Sequence, residues 1–128
     1  MEIPIPIQLN KIDIQVKAVK DNKPFKDIVG FFELTIFDEG NNPFIKVRGG
    51  TIKVKQFKDV PNPVFTVNAP AYKSGLIYRT SFIIESKGLW KDIENTILED
   101  FAQQTGGLKP EDFIKAMEEN VNPEDIPF

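Results

Sequence analysis

The chain is predicted to fold as α+β: a twisted antiparallel β-sheet of four to six strands with a C-terminal amphipathic helix packed on it. Three observations predict this. Stretches of period-two alternation fill the sequence up to about residue 84, and clusters of Gly, Pro, Asn and Asp separate them. Strong helical periodicity comes only afterwards. One good helix covers one face of a sheet, so the other face must meet solvent, a second subunit or a ligand.

The first strand is expected over Lys11–Val19, where Ile12, Ile14, Val16 and Ala18 alternate with Asp13, Gln15 and Lys17. Asp21-Asn22-Lys23-Pro24 has turn chemistry, since Asn and Asp tolerate left-handed backbone and Pro presets φ. A second strand follows over Lys26–Phe37, with Gly30 marking a bulge or a close approach and Phe31-Phe32 adding aromatic bulk. Asp38–Pro43 reads as a loop. Phe44–Phe57 alternates β-branched and charged residues, but its parity breaks at Gly49-Gly50: Ile45 and Val47 are odd, Ile52 and Val54 even. Either a bulge inserts one residue or the glycines form a two-residue hairpin. Both place Lys46 and Arg48 on the side of Lys53 and Lys55.

Val60-Pro61-Asn62-Pro63 is a turn, Val64–Asn68 a short strand, Ala71–Gly75 a loop and Ile77–Ile84 the last strand. Ser86 is placed to cap a helix whose stripe is Trp90, Ile93, Ile97 and Phe101, with Leu89 and Leu98 beside it. Asp92 and Glu94 lie early in that helix, where its dipole favours anions. Gly106-Gly107 ends it. A weaker second helix occupies 109–120, starting at Pro110, with Phe113, Ile114 and Met117 as its apolar stripe. Residues 121–128 are aperiodic and are expected to form a flexible acidic tail.

At 128 residues and 41% hydrophobic content, the chain is expected to form one domain with a real core, spanning residues 1–108. It has no Cys and no His, which removes disulfides, thiolate and imidazole metal sites and the commonest general base. No Asp/Glu pair stands at a catalytic spacing, so neither an enzyme nor a cofactor is expected. The absent cysteines fit a reducing cytoplasm. Met1–Ile7 is too short, acidic and proline-broken for a signal peptide, and no stretch reaches membrane-spanning length, so a cytoplasmic protein without membrane contact is expected.

Net charge is −3, but it is unevenly distributed. Residues 1–108 hold 14 basic and 13 acidic side chains, whereas 109–128 hold 2 and 6. Phe44–Lys58 carries Lys46, Arg48, Lys53, Lys55 and Lys58 and no acid. A near-neutral body with a basic segment and an acidic tail points to a nucleic-acid partner. Non-specific strand binding requires cations that follow phosphates and aromatic faces on which bases stack. Lys53, Lys55 and Phe57 are expected to share one strand parity, with Lys46 and Arg48 widening the strip. Tyr72, Lys73, Tyr78 and Arg79 flank the Gly75 loop and are the next candidates. The competing reading is that such lysines are an ordinary solvated face that deters edge aggregation. Trp90, on the helix stripe, reads as core.

Two resemblances bear on function. The final residues Glu124, Asp125, Ile126, Pro127 and Phe128 resemble the tail tip of bacterial single-stranded DNA-binding proteins. This implies a docking peptide for replication or repair proteins, its ring filling an apolar pocket and its carboxylates meeting a basic rim. The usual oligonucleotide-binding barrel of that family has strands after its helix, and none is predicted here. Gly30–Gln103 instead resembles the stage V sporulation protein G (SpoVG) family of small nucleic-acid-binding regulators. The resemblance rests on Phe44-Ile45, on Val64–Pro70 followed by Tyr72-Lys73-Ser74-Gly75, on Tyr78-Arg79, and on the helix pattern Asp92–Phe101. It implies a twisted sheet with a C-terminal helix, and a homodimer formed by joining sheets. The acids on the helix (Asp92, Glu94, Glu99, Asp100), the single lysine of Ala71–Gly75 and the acidic tail depart from that pattern.

Together these features lead to the expectation of a homodimeric single-stranded DNA-binding protein of a phage or mobile element. It would coat DNA strands, with RNA as the secondary candidate, in replication or recombination and recruit partners through its tail. The alternatives are a SpoVG-like sequence-specific DNA/RNA-binding regulator and a protein-interaction adaptor that touches no nucleic acid.

Overall fold

The computed structural model describes residues 1–19 and 27–118. Four strands, β1 (Leu9–Ala18), β2 (Ile28–Asp38), β3 (Pro43–Lys55) and β4 (Val64–Asn68), form an antiparallel sheet in the order β1-β2-β3-β4. A separate hairpin pairs β5 (Ala71–Ser74) with β6 (Ile77–Thr80). Two helices follow, α1 (Lys87–Thr105) and α2 (Pro110–Glu118). The α+β expectation therefore holds. Among the described residues, no helix is long and apolar enough to cross a membrane. The turn expected at Asp21–Pro24 and the tip Glu124–Phe128 lie outside the described residues.

Each element follows from its residues. β1 buries its even-numbered side chains Ile12, Ile14, Val16 and Ala18 against the core and exposes Lys11, Asp13, Gln15 and Lys17. A tight reversal joins β2 to β3: Asn41 sits at φ 59°, and the Asn42 N–H donates to Asp38 Oδ1 at 2.9 Å. The alternatives left open at Gly49-Gly50 resolve to a bulge. Phe32 faces Gly50 while Leu34 faces Val47, so β3 spends one more residue than β2. Gly49 takes φ 89°, a backbone conformation that a side chain would strain. The bulge returns Val47, Gly50, Ile52 and Val54 to one face.

At Gly30 both expectations are met. The β2–β3 register slips between Ile28 and Gly30, which lets consecutive residues Val29 and Gly30 turn inward. A Cβ at Gly30 would stand 3.0 Å from Ile52 Cδ1 and 3.3 Å from the Phe101 ring.

The core lies between the sheet and the helices: Phe32, Leu34, Ile52 and Val54 meet Ile93, Ile97, Phe101 and Phe113. Trp90 is half-buried against it. The α1 start is capped by Ser86, whose Oγ accepts from Leu89 N–H at 3.3 Å. Its first turn holds no acid, because the helix begins at Lys87 and Asp92 falls in the second turn. Gly106, left-handed at φ 68°, and Gly107 terminate it, the Gly107 N–H donating to Ala102 O at 2.8 Å. Pro110 opens α2 at a position where its missing N–H costs nothing, and Asp112 accepts from Lys109 N–H at 2.9 Å.

Two expected boundaries move at the hairpin. Ala71–Ser74, expected as part of a loop, is a strand of the hairpin. The last strand ends at Thr80 rather than Ile84. There Ser81 turns back, its N–H donating to Pro70 O at 2.8 Å and its hydroxyl at 2.9 Å.

The Phe32 ring lies directly over Gly50, so a Cβ there would overlap buried ring atoms. Gly50→Ala is expected to cost about 1–3 kcal/mol through forced repacking. A urea titration checks it; an unchanged midpoint would mean the ring moves freely.

Candidate nucleic-acid interface

Both helices contribute to the core on one side of the sheet, so the side chains of opposite parity form a helix-free face. On β1 these are Lys11, Asp13, Gln15 and Lys17; on β2, Phe31, Glu33, Thr35 and Phe37. β3 adds Phe44 and Lys46, then across the bulge Arg48, Thr51, Lys53 and Lys55. Four sequence-predicted residues, Lys46, Arg48, Lys53 and Lys55, therefore do share one face.

The register brings further groups to them. Lys17 and Thr51 flank Phe31, and Lys11 and Asp13 are paired with Phe37 and Thr35. Lys11 Nζ stands 5.2 Å from the Phe37 ring centroid, a cation–π contact. Glu33 lies between Lys46 and Arg48, with N···O distances of 3.7 Å to each. Such exposed pairs hold loosely and exchange easily for a phosphate. Lys53 and Lys55 form no ion pair among the described residues. Their stems are half-buried against β4, where Thr66 and Val64 are their partners. Among the described residues, the face thus carries six cations, two acids and three phenylalanines.

Phe57 and Lys58 do not belong to this strip. β3 ends at Lys55, and Phe57 opens a turn closed by the Val60 N–H on Phe57 O at 3.2 Å. Strand parity fails there because Gln56 leaves the ladder and bonds Val60 O through its side chain at 2.7 Å.

Tyr72, Lys73, Tyr78 and Arg79 lie together on the β5–β6 hairpin, every residue of which is exposed. Tyr72 faces Arg79 and Lys73 faces Tyr78, so each side of this two-stranded ribbon presents one tyrosine beside one cation. Gly75, at φ 65°, forms the tip with Leu76. A cleft of about 580 Å³ joins ribbon to sheet, lined by Lys53, Asn68, Tyr78, Phe82 and Trp90 among others.

Lys11, Lys17, Phe31, Phe37 and Phe44 were not among the sequence candidates. A signal existed: Phe31 and Phe32 are adjacent in a strand, so one must point away from the core. The part played by Trp90 in the cleft had no local signal, since its spacing is that of a core residue.

No protein-family model, curated protein or solved structure matches this chain. The functional reading therefore stands on the surface itself.

Proposed function

We propose that the chain binds single-stranded nucleic acid, DNA foremost, along the helix-free face of its sheet and the adjoining ribbon. The observation that carries this reading is the interleaving of Lys11, Lys17, Lys46, Arg48, Lys53 and Lys55 with Phe31, Phe37 and Phe44 on one surface. Cations spaced along strands follow phosphates, and aromatic faces accept bases of any identity. The half-buried lysine stems hold their charges over the sheet rather than letting them sweep freely.

In this reading the protein coats exposed strands during replication or recombination, in a cytoplasmic setting and from a phage or mobile element. Glu124–Phe128 recruits replication or repair proteins. A SpoVG-like fold is proposed with it, on the sheet-then-helix order and the motifs given above.

One feature favours a second reading, a sequence-specific regulator. The exposed β5–β6 ribbon has the width that a duplex major groove admits. Fluorescence anisotropy with labelled polythymidine and a mixed-sequence duplex, each at two salt concentrations, separates the two. Preference for polythymidine with strong salt dependence supports strand coating. Tight binding to one duplex site supports the regulator. Flat titrations with every oligonucleotide overturn both and leave a protein-interaction adaptor. Tyr78→Ala is expected to weaken strand binding about 5- to 150-fold, from ~1–3 kcal/mol per stacked base. An unchanged affinity would remove the ribbon from the interface.

A further inference from the structure

The β1 edge of the sheet is closed at one end and open at the other. Gln104 of α1 closes it: its Oε1 accepts from Ala18 N–H at 2.9 Å and its Nε2 donates to Val16 O at 2.7 Å. A side-chain amide thus stands in for a neighbouring strand. Backbone groups alternate sides along a strand, so Ile12 and Ile14 direct their N–H and C=O to the same edge. Among the described residues nothing bonds them there. Beside this open stretch, toward α1, runs a mostly apolar groove of about 460 Å³ lined by Ile12, Ile14, Ile84, Leu89 and Ile93 among others, with Asp92 and Thr96 also in its wall.

The chain carries a segment of complementary pattern. Ile3, Ile5 and Ile7 are 85%, 69% and 40% exposed and alternate with Pro4 and Pro6. As a strand, this arm presents aliphatic side chains on one face and lacks N–H donors along one edge only. The bulge at the start of β1 sets which edge. The register steps from Leu9 opposite Asp38 to Lys11 opposite Phe37, so β1 spends an extra residue and the parity shifts. Upstream, the Gln8 carbonyl faces β2, accepting from Glu39 N–H at 3.1 Å. An extended continuation therefore turns the N–H and C=O of Ile7, Ile5 and Ile3 to the open edge and the prolines away from it. Side-chain direction is tied to backbone direction in a strand, so these isoleucines point to the core side, as Ile12 and Ile14 do.

We propose that the arm of a second copy adds as an antiparallel strand along β1, and that the exchange is reciprocal about a two-fold axis. Ile5 lies opposite Ile12 and Ile3 opposite Ile14, with their side chains in the groove. Pro6 and Pro4 lie opposite Lys11 and Asp13, positions where the ladder needs no donor. Sliding the arm two residues one way sets Ile3 against Val16, whose carbonyl Gln104 already occupies. Sliding it the other way sets Ile5 against Asn10 and leaves only Met1, the first residue of the arm, to meet Ile14. The arm cannot fill its own edge: that needs a reversal at Gln8-Leu9, which has none of the turn residues a two-residue hairpin demands. Leu9 is also already paired with Asp38. Residues opposite each other in an antiparallel pair project to the same side. The two helix-free faces therefore merge into one eight-stranded surface, and only this last consequence rests on the nucleic-acid reading.

The test uses the full chain, which contains no cysteine to confuse it. A Pro6→Cys/Lys11→Cys variant places thiols on adjacent strands with Cα atoms about 4.5–5.5 Å apart, within disulfide reach. Mild oxidation is expected to give a covalent dimer on a non-reducing gel. Pro6→Cys/Asp13→Cys, one register away, is expected to stay monomeric. By sedimentation velocity, Ile5→Asp should weaken self-association about 100-fold or more, because it sets a carboxylate in an apolar groove. Ile5 lies outside the core, so folding is spared. Pro6→Ala should leave association within about threefold, since that position faces away from the junction. A wild-type chain monomeric at about 100 μM overturns the proposal. So does a dimer indifferent to Ile5→Asp, or cross-linking in the shifted register instead.

Discussion

Reversing Lys53 and Lys55 together to glutamate is expected to abolish most strand binding, weakening it about 100-fold or more at low salt. Both ammonium groups stand on the helix-free face without an acidic partner among the described residues, so each is available to a phosphate. Loss of two phosphate contacts should also reduce the slope of log affinity against log salt by about 1.4, from ~0.7 per contact on single strands. The slope matters because a merely destabilised protein would lose active fraction without changing it. Lys58→Glu is the matched control. It makes the same kind of reversal, of one lysine rather than two, at a residue in the turn beyond β3. The expected ranking is a large loss for the pair and a small one for Lys58. Equal losses per reversed residue, in free energy, would mean that binding follows net charge rather than this surface.

The largest stability loss is expected from Phe101→Ala. Phe101 is 1% exposed, and its ring lies 5.2 Å from Phe65 and 5.9 Å from Phe113, with Phe65 and Phe113 themselves 5.6 Å apart. The three rings join β4, α1 and α2, so removing the middle one opens a cavity shared by three elements. Removal of a buried Phe costs about 3–5 kcal/mol, against a total of roughly 5–15 kcal/mol for a domain. A fall in melting temperature of about 10–20 °C follows. Circular dichroism melts and urea midpoints check it. A loss below about 1 kcal/mol would show that the neighbours collapse into the space. Gly30 also lies against this ring, so a compensating Gly30→Ala is a weak rescue at best: its Cβ would meet Ile52 first.

Much of the architecture was legible residue by residue. The alternation in Ile12–Ala18 set the inward face of β1, and the Trp90–Phe101 spacing set the buried stripe of α1, because both periods are local properties of the backbone. The parity break at Gly49-Gly50 was legible as an event but not as a kind of event. A bulge and a hairpin consume the same glycines, and only the pairing of Val47 with Leu34 distinguishes them. Ala71–Ser74 looks like loop in the sequence because four residues between Pro70 and Gly75 carry almost no periodic signal. Its partner Ile77–Thr80 supplies the missing hydrogen bonds. Strand parity extended past Lys55 puts Phe57 on the basic strip, but Gln56 leaves the ladder and ends that parity.

The sequence by itself determined which side chains share a face within each strand, where α1 starts and stops, and how charge divides between body and tail. These depend on φ and ψ preferences and on neighbours a few residues away. Only the tertiary structure decided which strands lie side by side, and so that Lys11 and Lys17 join Lys46 and Arg48 across Phe31, Glu33 and Phe37. It also decided that Gln104 closes one end of the β1 edge while Ile12 and Ile14 remain open. The physical reason is that pairing between strands is settled by packing and backbone hydrogen bonds across the whole domain, where many registers satisfy the same local pattern and burial selects one.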